Sequence, residues 1–458
     1  MTLPDLVRSY DDALDTDSSA SRFTVGDWGS LLSATLPVTD LAAGSVATFA
    51  AAVDRFKAAH RLSTRPWHLV PERIAASFAG DKMLRIDGNP VRGFAELSGF
   101  FASADGWVRT HANYPHHRRA LIAALELPAD AEVETVLGRL HELPGGEIER
   151  RCASASAVAV RVRTEAEWAH EHGAVTDHQL VEQSVGARSS GPRPEAEAQA
   201  TDGAPLNGIR VLDLTRVIAG PVAGRALALL GADVLRIDPA RLPEIEWQHL
   251  ENGQGKRSTL LDLRNTVEEG KFRTLLSQAD VVLSGYRPGS LERVGVDSLP
   301  SGIVHGRVSA WGAGSWSGRR GFDSIVQAAT GISVLEGTAG APGALPAQAL
   351  DHASGYLLAA ATVDALTSRR TGGPDLDVSV SLARTAAWLL GRGGRVEHPP
   401  ASTLPASTTT TVLHGAVLAA RPALAEFADY PAPARRWGAD EPAFRVVRMS
   451  ARGASRLP

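Results

Sequence analysis

The stretch that decides the fold class is IRVLDLTRVIAGPVAGRALALLGADVLRI, residues 209–237. Its first part, residues 209–214, is a short and largely apolar run with β-branched members, which is typical of a buried strand. A helical pattern follows at residues 221–230, beginning with proline and ending before glycine. A second apolar run lies at residues 233–237. This spacing predicts a strand, a helix and a strand joined as a right-handed βαβ unit of a parallel sheet.

The same alternation continues along the chain. A helical pattern lies near residues 267–278, and strand patterns lie at residues 280–284 and 303–309. Alternating strands and helices are typical of an open parallel sheet with helices on both faces. We therefore predict an α/β fold with a doubly wound parallel sheet and place this domain at residues 206–395.

Composition divides the rest of the chain. The segment 186–205, GARSSGPRPEAEAQATDGAP, contains no large apolar residue, so we predict a mobile linker there. It follows an N-terminal region, residues 1–185. The last segment, residues 396–458, is rich in Pro and Thr and is expected to wrap over the surface or to be partly disordered. Residues 36–53 resemble residues 211–230, which indicates either a decayed second copy of the domain or a chance match in an Ala-rich chain.

The overall composition excludes several classes of protein. With 44% hydrophobic and 21% charged residues, the 458-residue chain is typical of a soluble globular protein. Its net charge of −4 offers no basic surface for nucleic acid. No apolar run approaches the ~18 residues of a membrane span, and MTLPDLVRSYDDALDTDSS carries acids where a signal peptide needs an apolar core. A single cysteine, Cys152, fits a reducing compartment. We therefore expect a cytoplasmic protein that binds neither nucleic acid nor a membrane.

The sequence motifs disfavour two kinds of ligand, a dinucleotide and a metal ion. The turn TRVIAGP, residues 215–221, lies where open α/β sheets bind ligands, but G-x-G-x-x-G is absent, so NAD is disfavoured. Three histidines, His111, His116 and His117, lie close together in the sequence. No carboxylate or cysteine cluster completes a metal site around them, so we interpret them as surface or packing residues and expect no bound metal.

Cationic residues stand beside Gly and Pro turns in three loops that adjoin predicted strands. The pairs are Lys256 with Arg257, Arg287 with Arg293, and Arg319 with Arg320. Guanidinium groups suit phosphates, so the loops predict a ligand with several phosphates unless these are ordinary surface arginines.

Asp351 precedes a strongly apolar helix in LPAQALDHASGYLLAAATVDAL, residues 345–366. A carboxylate in this position often does no more than cap the helix by accepting hydrogen bonds from its free amides.

Taken together, these segments resemble the class III CoA-transferases of the CaiB/BaiF type, the family of carnitine dehydratase and bile-acid-inducible proteins. The resemblance lies, in the family's order, in LNGIRVLDLTRVIAGPVAGRALALLGADVLRID, GKRSTLLDLRN, ADVVLSGYRPGSLERVG, RRGFDSIVQAATGI and LPAQALDHASGYLLAAA. The N-terminal region is similar to the family's smaller domain in DGWVRTHANYPHHRRALIAAL (105–125) and TEAEWAHEHGAV (164–175), which here precede the α/β domain. The chain therefore looks like a fused or permuted pair with one catalytic half.

The resemblance implies that Asp351 is the catalytic aspartate. It would attack an acyl-CoA thioester to give an acyl-aspartyl anhydride, and CoA thiolate would then form an aspartyl-CoA thioester. The substrates would be acyl-CoA and a carboxylic acid, with CoA as substrate and no permanently bound cofactor. Family members are commonly interlocked homodimers, although the fused half could replace the partner.

The resemblance and the cationic loops also assign residues to CoA. The family often has an arginine where this chain has Pro239, so Arg236 or Arg241 is expected to substitute. The full set of predicted CoA contacts is Ala219, Arg236, Lys256, Arg287 and Arg293.

Two alternatives stay open. One is an α-methylacyl-CoA racemase on the same fold, although the racemases carry a histidine immediately before the aspartate of GFDSIV, where this chain has Phe322. The other is a non-catalytic CoA-ester binding protein in which Asp351 only caps its helix.

Overall fold

A computed structural model describes most of the chain. The described residues are 4–173, 179–186, 200–287, 289–291, 294–296, 299–338 and 340–445. Arg293 and most of the predicted linker, residues 187–199, lie outside them.

The described chain alternates helices and short strands. The helices are α1 (Asp5–Leu14), α2 (Val38–Ala59), α3 (Pro71–Phe78), α4 (Gly80–Met83), α5 (Pro115–Ala124), α6 (Val133–Glu142), α7 (Gly145–Ser154), α8 (Glu165–His172), α9 (Ala219–Leu229), α10 (Glu246–Asn252), α11 (Thr266–Gln278), α12 (Asp323–Thr330), α13 (Ile332–Leu335), α14 (Ala349–Arg370), α15 (Leu382–Leu390) and α16 (Ser407–Thr410). The strands are β1 (Phe23–Val25), β2 (Trp67–Leu69), β3 (Arg85–Ile86), β4 (Asn89–Pro90), β5 (Phe100–Ser103), β6 (Gly106–Thr110), β7 (Ala159–Arg161), β8 (Val181–Val185), β9 (Arg210–Leu214), β10 (Asp233–Asp238), β11 (Arg257–Leu260), β12 (Val281–Ser284), β13 (Val304–Ser309), β14 (Leu376–Ser381), β15 (Thr411–His414) and β16 (Val417–Ala420).

The central sheet has seven strands in the order β11-β10-β9-β12-β13-β14-β8. All neighbouring pairs are parallel except β14 and β8. Strands β9, β10 and β12 are almost entirely buried, as the apolar runs of a sheet covered on both faces require. Chain order reverses between β9 and β12, which is the position where loops diverge and leave a crevice for ligands. The predicted doubly wound α/β fold is confirmed.

Three local details differ from the sequence predictions. The segment at residues 257–260, predicted as a cationic loop, forms the edge strand β11. Helix α9 begins at Ala219 rather than at Pro221, because proline is tolerated within the first turn of a helix. The edge strand β8 comes from the N-terminal region and pairs with β14.

The N-terminal region also supplies α2, which packs along α14. The rings of Phe49 and Tyr356 lie 6.0 Å apart across this contact. Arg55 donates to both oxygens of Asp364, from Nε to Oδ1 at 2.8 Å and from Nη2 to Oδ2 at 2.7 Å. The two regions therefore share one apolar core across these helices.

Helices α2 and α14 share their length and a few residues of their first two turns. Each has 22 residues, with Asp third and Gly seventh, and the residues before them have nearly the same backbone angles, φ −75° and ψ 65° for Pro37 and φ −74° and ψ 63° for Gln348. The likeness of residues 36–53 to residues 211–230 stays a prediction; residues 36–37 form no strand, whereas residues 211–214 lie in β9.

The described residues form three smaller sheets besides the central one, of which the parallel pair β1 and β2 is the smallest. Strands β5, β6 and β7 pack with α5, α6 and α7 around their own apolar cluster, and they contain much of the block predicted as the smaller domain. Strands β15 and β16 of the C-terminal segment extend to β3, and Trp437 Nε1 donates to Asp238 Oδ2 at 3.1 Å. No helix in the described ranges is long and apolar enough to cross a membrane.

Candidate active site

A cavity of about 350 Å³ opens at the carboxyl edge of the central sheet. The loops after β9, β12, β13 and β14 form one side of it, as expected for ligand binding in an open α/β sheet. The N-terminal region forms another side. The residues that line it include Tyr114, His116, His117, Arg216, Val217, Ala219, Arg287, Arg319, Arg320, Phe322 and Asp351.

Asp351 lies in the first turn of α14 and reaches this cavity although it is buried. The helix begins at Ala349 after Gln348, so Asp351 is its third residue and not its N-cap. The Asp351 side chain accepts no hydrogen bond from the described residues. It therefore does not cap the helix, and it faces the cavity.

A second carboxylate lies beside it. The backbone N–H of Asp351 donates to Asp323 Oδ2 at 2.9 Å, and Gln327 Nε2 donates to the other oxygen of Asp323. Burial raises the pKa of the Asp351 carboxyl well above its usual value, and the charge of Asp323 raises that pKa further. Burial also raises the pKa of Asp323, against the hydrogen bonds that lower it. Burial and the charge of Asp323 thus favour the protonated form of Asp351, and its ionised form is a more basic carboxylate than one in water.

The turn between β9 and α9 forms the floor next to Asp351. Val217 adopts φ +71°, which is rare for a β-branched residue and marks local strain. The buried carboxylate of Glu244 holds this turn by accepting from the Val217 N–H at 3.2 Å and from Arg216 Nε at 3.4 Å. Glu244 also accepts from the Tyr114 hydroxyl at 2.5 Å, and neighbouring arginines lower its pKa to about 2. Glu244 therefore ties the turn to the N-terminal region.

Of the predicted CoA contacts, Ala219 and Arg287 line the cavity together with Asp351. Arg293 lies outside the described residues. Arg241 has a largely exposed side chain 3.9 Å from Asp262 and does not line the cavity.

Arg236 and Lys256 do not reach the cavity, and their prediction as CoA contacts needs correction. Arg236 is buried and donates to Asp238 Oδ2 at 2.7 Å and to Glu244 Oε2 at 2.8 Å. Lys256 is buried and donates to Asp213 Oδ2 at 2.8 Å. Their charges are already neutralised by carboxylates beneath the site, so they support its walls instead of binding phosphate.

The contribution of the N-terminal region was missed. Tyr114, His116 and His117 line the cavity, and the His111 ring stacks on Phe322 with centroids 3.7 Å apart and planes within 5°. Burial lowers the pKa of His111 to about 3 and that of His117 to about 2, so both are neutral at pH 7. The sequence block 105–125 resembles the family's smaller domain, and its histidines are interpreted from the sequence as surface or packing residues rather than metal ligands, with no role at the cavity. In the part of the chain that the structure describes, no group of three metal-ligating side chains is arranged around a common point.

Comparisons with known proteins cover the same part of the chain. The sequence model of CoA-transferase family III matches residues 206–400. A protein of Mycobacterium tuberculosis named probable fatty acyl-CoA transferase Rv3272 is 34% identical over 206 residues, which are 40% of this chain and 52% of that protein. An acyl-CoA transferase of Gibberella moniliformis is 32% identical over 286 residues, which are 57% of this chain and 50% of that protein.

A solved structure of a CAIB/BAIF family protein from Brucella suis is 25% identical with a TM-score of 0.37, over 41% of this chain and 56% of that one. The chain spans about half the length of the two curated relatives above. The match to the model of CoA-transferase family III is thus confined to residues 206–400 of the 458.

Proposed function

We propose that this protein transfers CoA between carboxylic acids, with Asp351 as the nucleophile. The observation that carries the proposal is the Asp351 carboxyl group, which is buried beside Asp323 and accepts no hydrogen bond from the described residues. It faces the cavity of about 350 Å³ at the carboxyl edge of the central sheet, hereafter the main cavity. The match of residues 206–400 to the family and the names of the relatives support the same chemistry.

The proposed reaction proceeds through two covalent intermediates. The Asp351 carboxylate attacks the thioester carbonyl carbon, the C–S bond breaks, and CoA leaves as thiolate, which gives an acyl-aspartyl anhydride. The thiolate then attacks the Asp351 carbonyl carbon, which releases the donor acid as carboxylate and leaves an aspartyl-CoA thioester. An acceptor carboxylate reverses these steps and leaves as the new acyl-CoA.

The cationic wall of the main cavity is proposed to hold the CoA phosphates. Arg287 and Arg320 line it, and burial together with the charge of Arg287 lowers the pKa of Arg320. Arg216 and Arg319 line it as well, but they are already paired with Glu244 and Glu149. A bound anion relieves the electrostatic repulsion between neighbouring guanidinium groups, which can bind phosphate through paired hydrogen bonds. Ala219, at the start of α9, is proposed to face the adenine, and Arg293 is proposed as a further phosphate contact.

A transferase is favoured over a racemase because a racemase must return a proton to the opposite face of the α-carbon. Phe322 stands where the racemases carry their histidine. The nearby His111 and His117 have pKa values of about 3 and about 2, so neither holds a proton to return at pH 7.

Because residues of both regions line the cavity, we propose that one chain builds a complete site, whether or not it also forms a homodimer. A cytoplasmic location is proposed as well. Cys152 is buried, and burial raises the pKa of its thiol to about 12, which disfavours the reactive thiolate.

The test compares Asp351→Asn with Asp40→Asn, which changes the third residue of the matching helix α2, where the side chain is exposed. Transfer from acetyl-, propanoyl-, succinyl- and palmitoyl-CoA to a panel of acids would be followed by mass spectrometry. We expect Asp351→Asn to lose about 10³-fold, or about 4 kcal/mol in barrier, and Asp40→Asn to stay within about twofold. Hydroxylamine should trap a peptide acylated at Asp351.

Transfer by Asp351→Asn within about tenfold of wild type, or ~1.4 kcal/mol, would contradict the proposal. Uptake of deuterium at the α-carbon of a 2-methylacyl-CoA without any acceptor would replace it with the racemase.

A further inference from the structure

A second, smaller cavity meets the main one at Asp351. The two share Val217, Phe322 and Asp351 as lining residues. The smaller cavity has a volume of about 20 Å³, compared with about 350 Å³ for the main cavity. That is room for about two water-sized groups.

Two residues that line this cavity carry polar atoms without a hydrogen-bond partner among the described residues. Nδ1 of His111 and Oγ of Ser324 are both buried, and neither has a hydrogen-bond partner among the described residues. A buried polar atom without a partner costs about 1–3 kcal/mol, so such atoms are uncommon unless a ligand pairs with them. Stacking on Phe322 fixes the His111 ring, and α12 fixes Ser324. The two atoms are therefore held in place before any ligand arrives.

Charge around the cavity disfavours an anion. Asp351 and Asp81 line it, and Asp323 precedes Ser324 and contacts Asp351. Arg109, whose charge acts on Asp323, is held between the rings of Phe94 and Phe100 and does not line the cavity. A second carboxylate on the substrate would meet these carboxyl groups and no cation among the described lining residues, whereas a hydroxyl adds no charge.

On the basis of the transferase function proposed above, we propose that this cavity receives the hydroxyl of a short acyl group and so selects short acyl groups that carry a neutral hydroxyl. A hydroxyl both donates and accepts, so it suits His111 Nδ1 and Ser324 Oγ whichever of them donates. A substrate without the hydroxyl leaves both atoms unpaired, which is the situation in which enzymes discriminate strongly. A long acyl chain exceeds the space available.

The experiment measures kcat/KM for CoA transfer to acetate from five donors. These are 2-hydroxypropanoyl-, 3-hydroxypropanoyl-, propanoyl-, succinyl- and palmitoyl-CoA. We expect at least one hydroxypropanoyl-CoA to exceed each of the other three donors by about tenfold or more.

Ser324→Ala and His111→Phe should each reduce that preference to within about threefold, and His111→Phe retains a ring to stack on Phe322. The matched control is Ser333→Ala, because the Ser333 hydroxyl is also buried and unpartnered but does not line either cavity. This control should keep the wild-type preference.

Transfer from propanoyl-, succinyl- or palmitoyl-CoA at a rate equal to or above that from both hydroxypropanoyl donors would overturn this inference and leave the transferase standing. A preference that survives in both cavity variants would overturn the role of these two side chains. No transfer from any donor would overturn the transferase proposal, and this inference with it.

Discussion

At the residue scale, the reactivity of Asp351 depends on a neighbour 28 positions earlier in the chain. Asp323 fixes the Asp351 backbone through one oxygen and raises the pKa of its carboxyl through its charge. Only the ionised form of Asp351 is a nucleophile, so the rate of transfer should fall as the pH falls through this raised pKa. The charge of Asp323 therefore makes the Asp351 carboxylate more basic, and it also raises the lowest pH at which transfer remains fast.

Asp323→Asn is predicted to shift the acidic limb of the pH–rate profile to lower pH. The substitution removes the negative charge that raises the Asp351 pKa while keeping an oxygen that can accept the backbone N–H. We expect the maximal rate to fall by about tenfold or less.

The control is Asp54→Asn, which changes another buried carboxyl whose pKa burial raises, held by Ser21 and Trp67 away from both cavities. Its profile should coincide with that of wild type. An unmoved or more alkaline limb in Asp323→Asn would show that Asp323 does not set the Asp351 pKa.

The residues at the cavity could be predicted from the sequence only where they belong to a recognisable motif. Asp351 could be named from its segment, and Ala219 and Arg287 from their turns. Arg236 and Lys256 could not be excluded, because a sequence shows a charge but not the carboxylate that neutralises it in the fold. The stacking of His111 on Phe322 joins residues more than 200 positions apart, and no local pattern marks it.

At the element scale, the site depends on how closely α14 approaches α9. A Cβ at Gly355 would lie 2.6 Å from the Ala219 carbonyl oxygen and 2.7 Å from Val222 Cβ, so only glycine permits this crossing. The crossing sets the distance between Asp351 near the start of α14 and the first turn of α9, and both line the main cavity. Strand and helix periodicity predicted these elements but not the helix crossing, since periodicity gives no distances between elements.

Gly355→Ala is predicted to destabilise the protein by about 1–3 kcal/mol and to weaken CoA binding by about tenfold, because the two helices must move apart. The control is Gly44→Ala at the same position of α2, where a Cβ would lie 2.7 Å from Leu6 Cβ. It should cost similar stability in denaturant unfolding but leave CoA affinity, measured by titration calorimetry, within about twofold. Equal loss of affinity in both variants would point to general destabilisation rather than to the α14–α9 crossing.

At the scale of the whole molecule, the N-terminal region and the family domain are not separate bodies. Strand β8 completes the central sheet, α2 packs along α14, and their side chains belong to one apolar cluster. The sequence indicated two regions joined by the segment 186–205 but not this shared core, because burial between distant segments leaves no local signature. The matching of α2 with α14, each with aspartate at its third position, favours a duplicated origin in which the copy with the exposed Asp40 has no catalytic role.

Limited proteolysis is predicted to cut first within residues 186–205, since that segment has no large apolar residue to pack. The two fragments should still elute together in size-exclusion chromatography, because α2 remains on α14 and Arg55 remains paired with Asp364. They should separate only after denaturant is added, and the nicked protein should keep most of its CoA transfer, since both regions line the cavity. A first cut elsewhere would contradict the proposed boundary. Fragments that elute separately without denaturant would contradict the shared core.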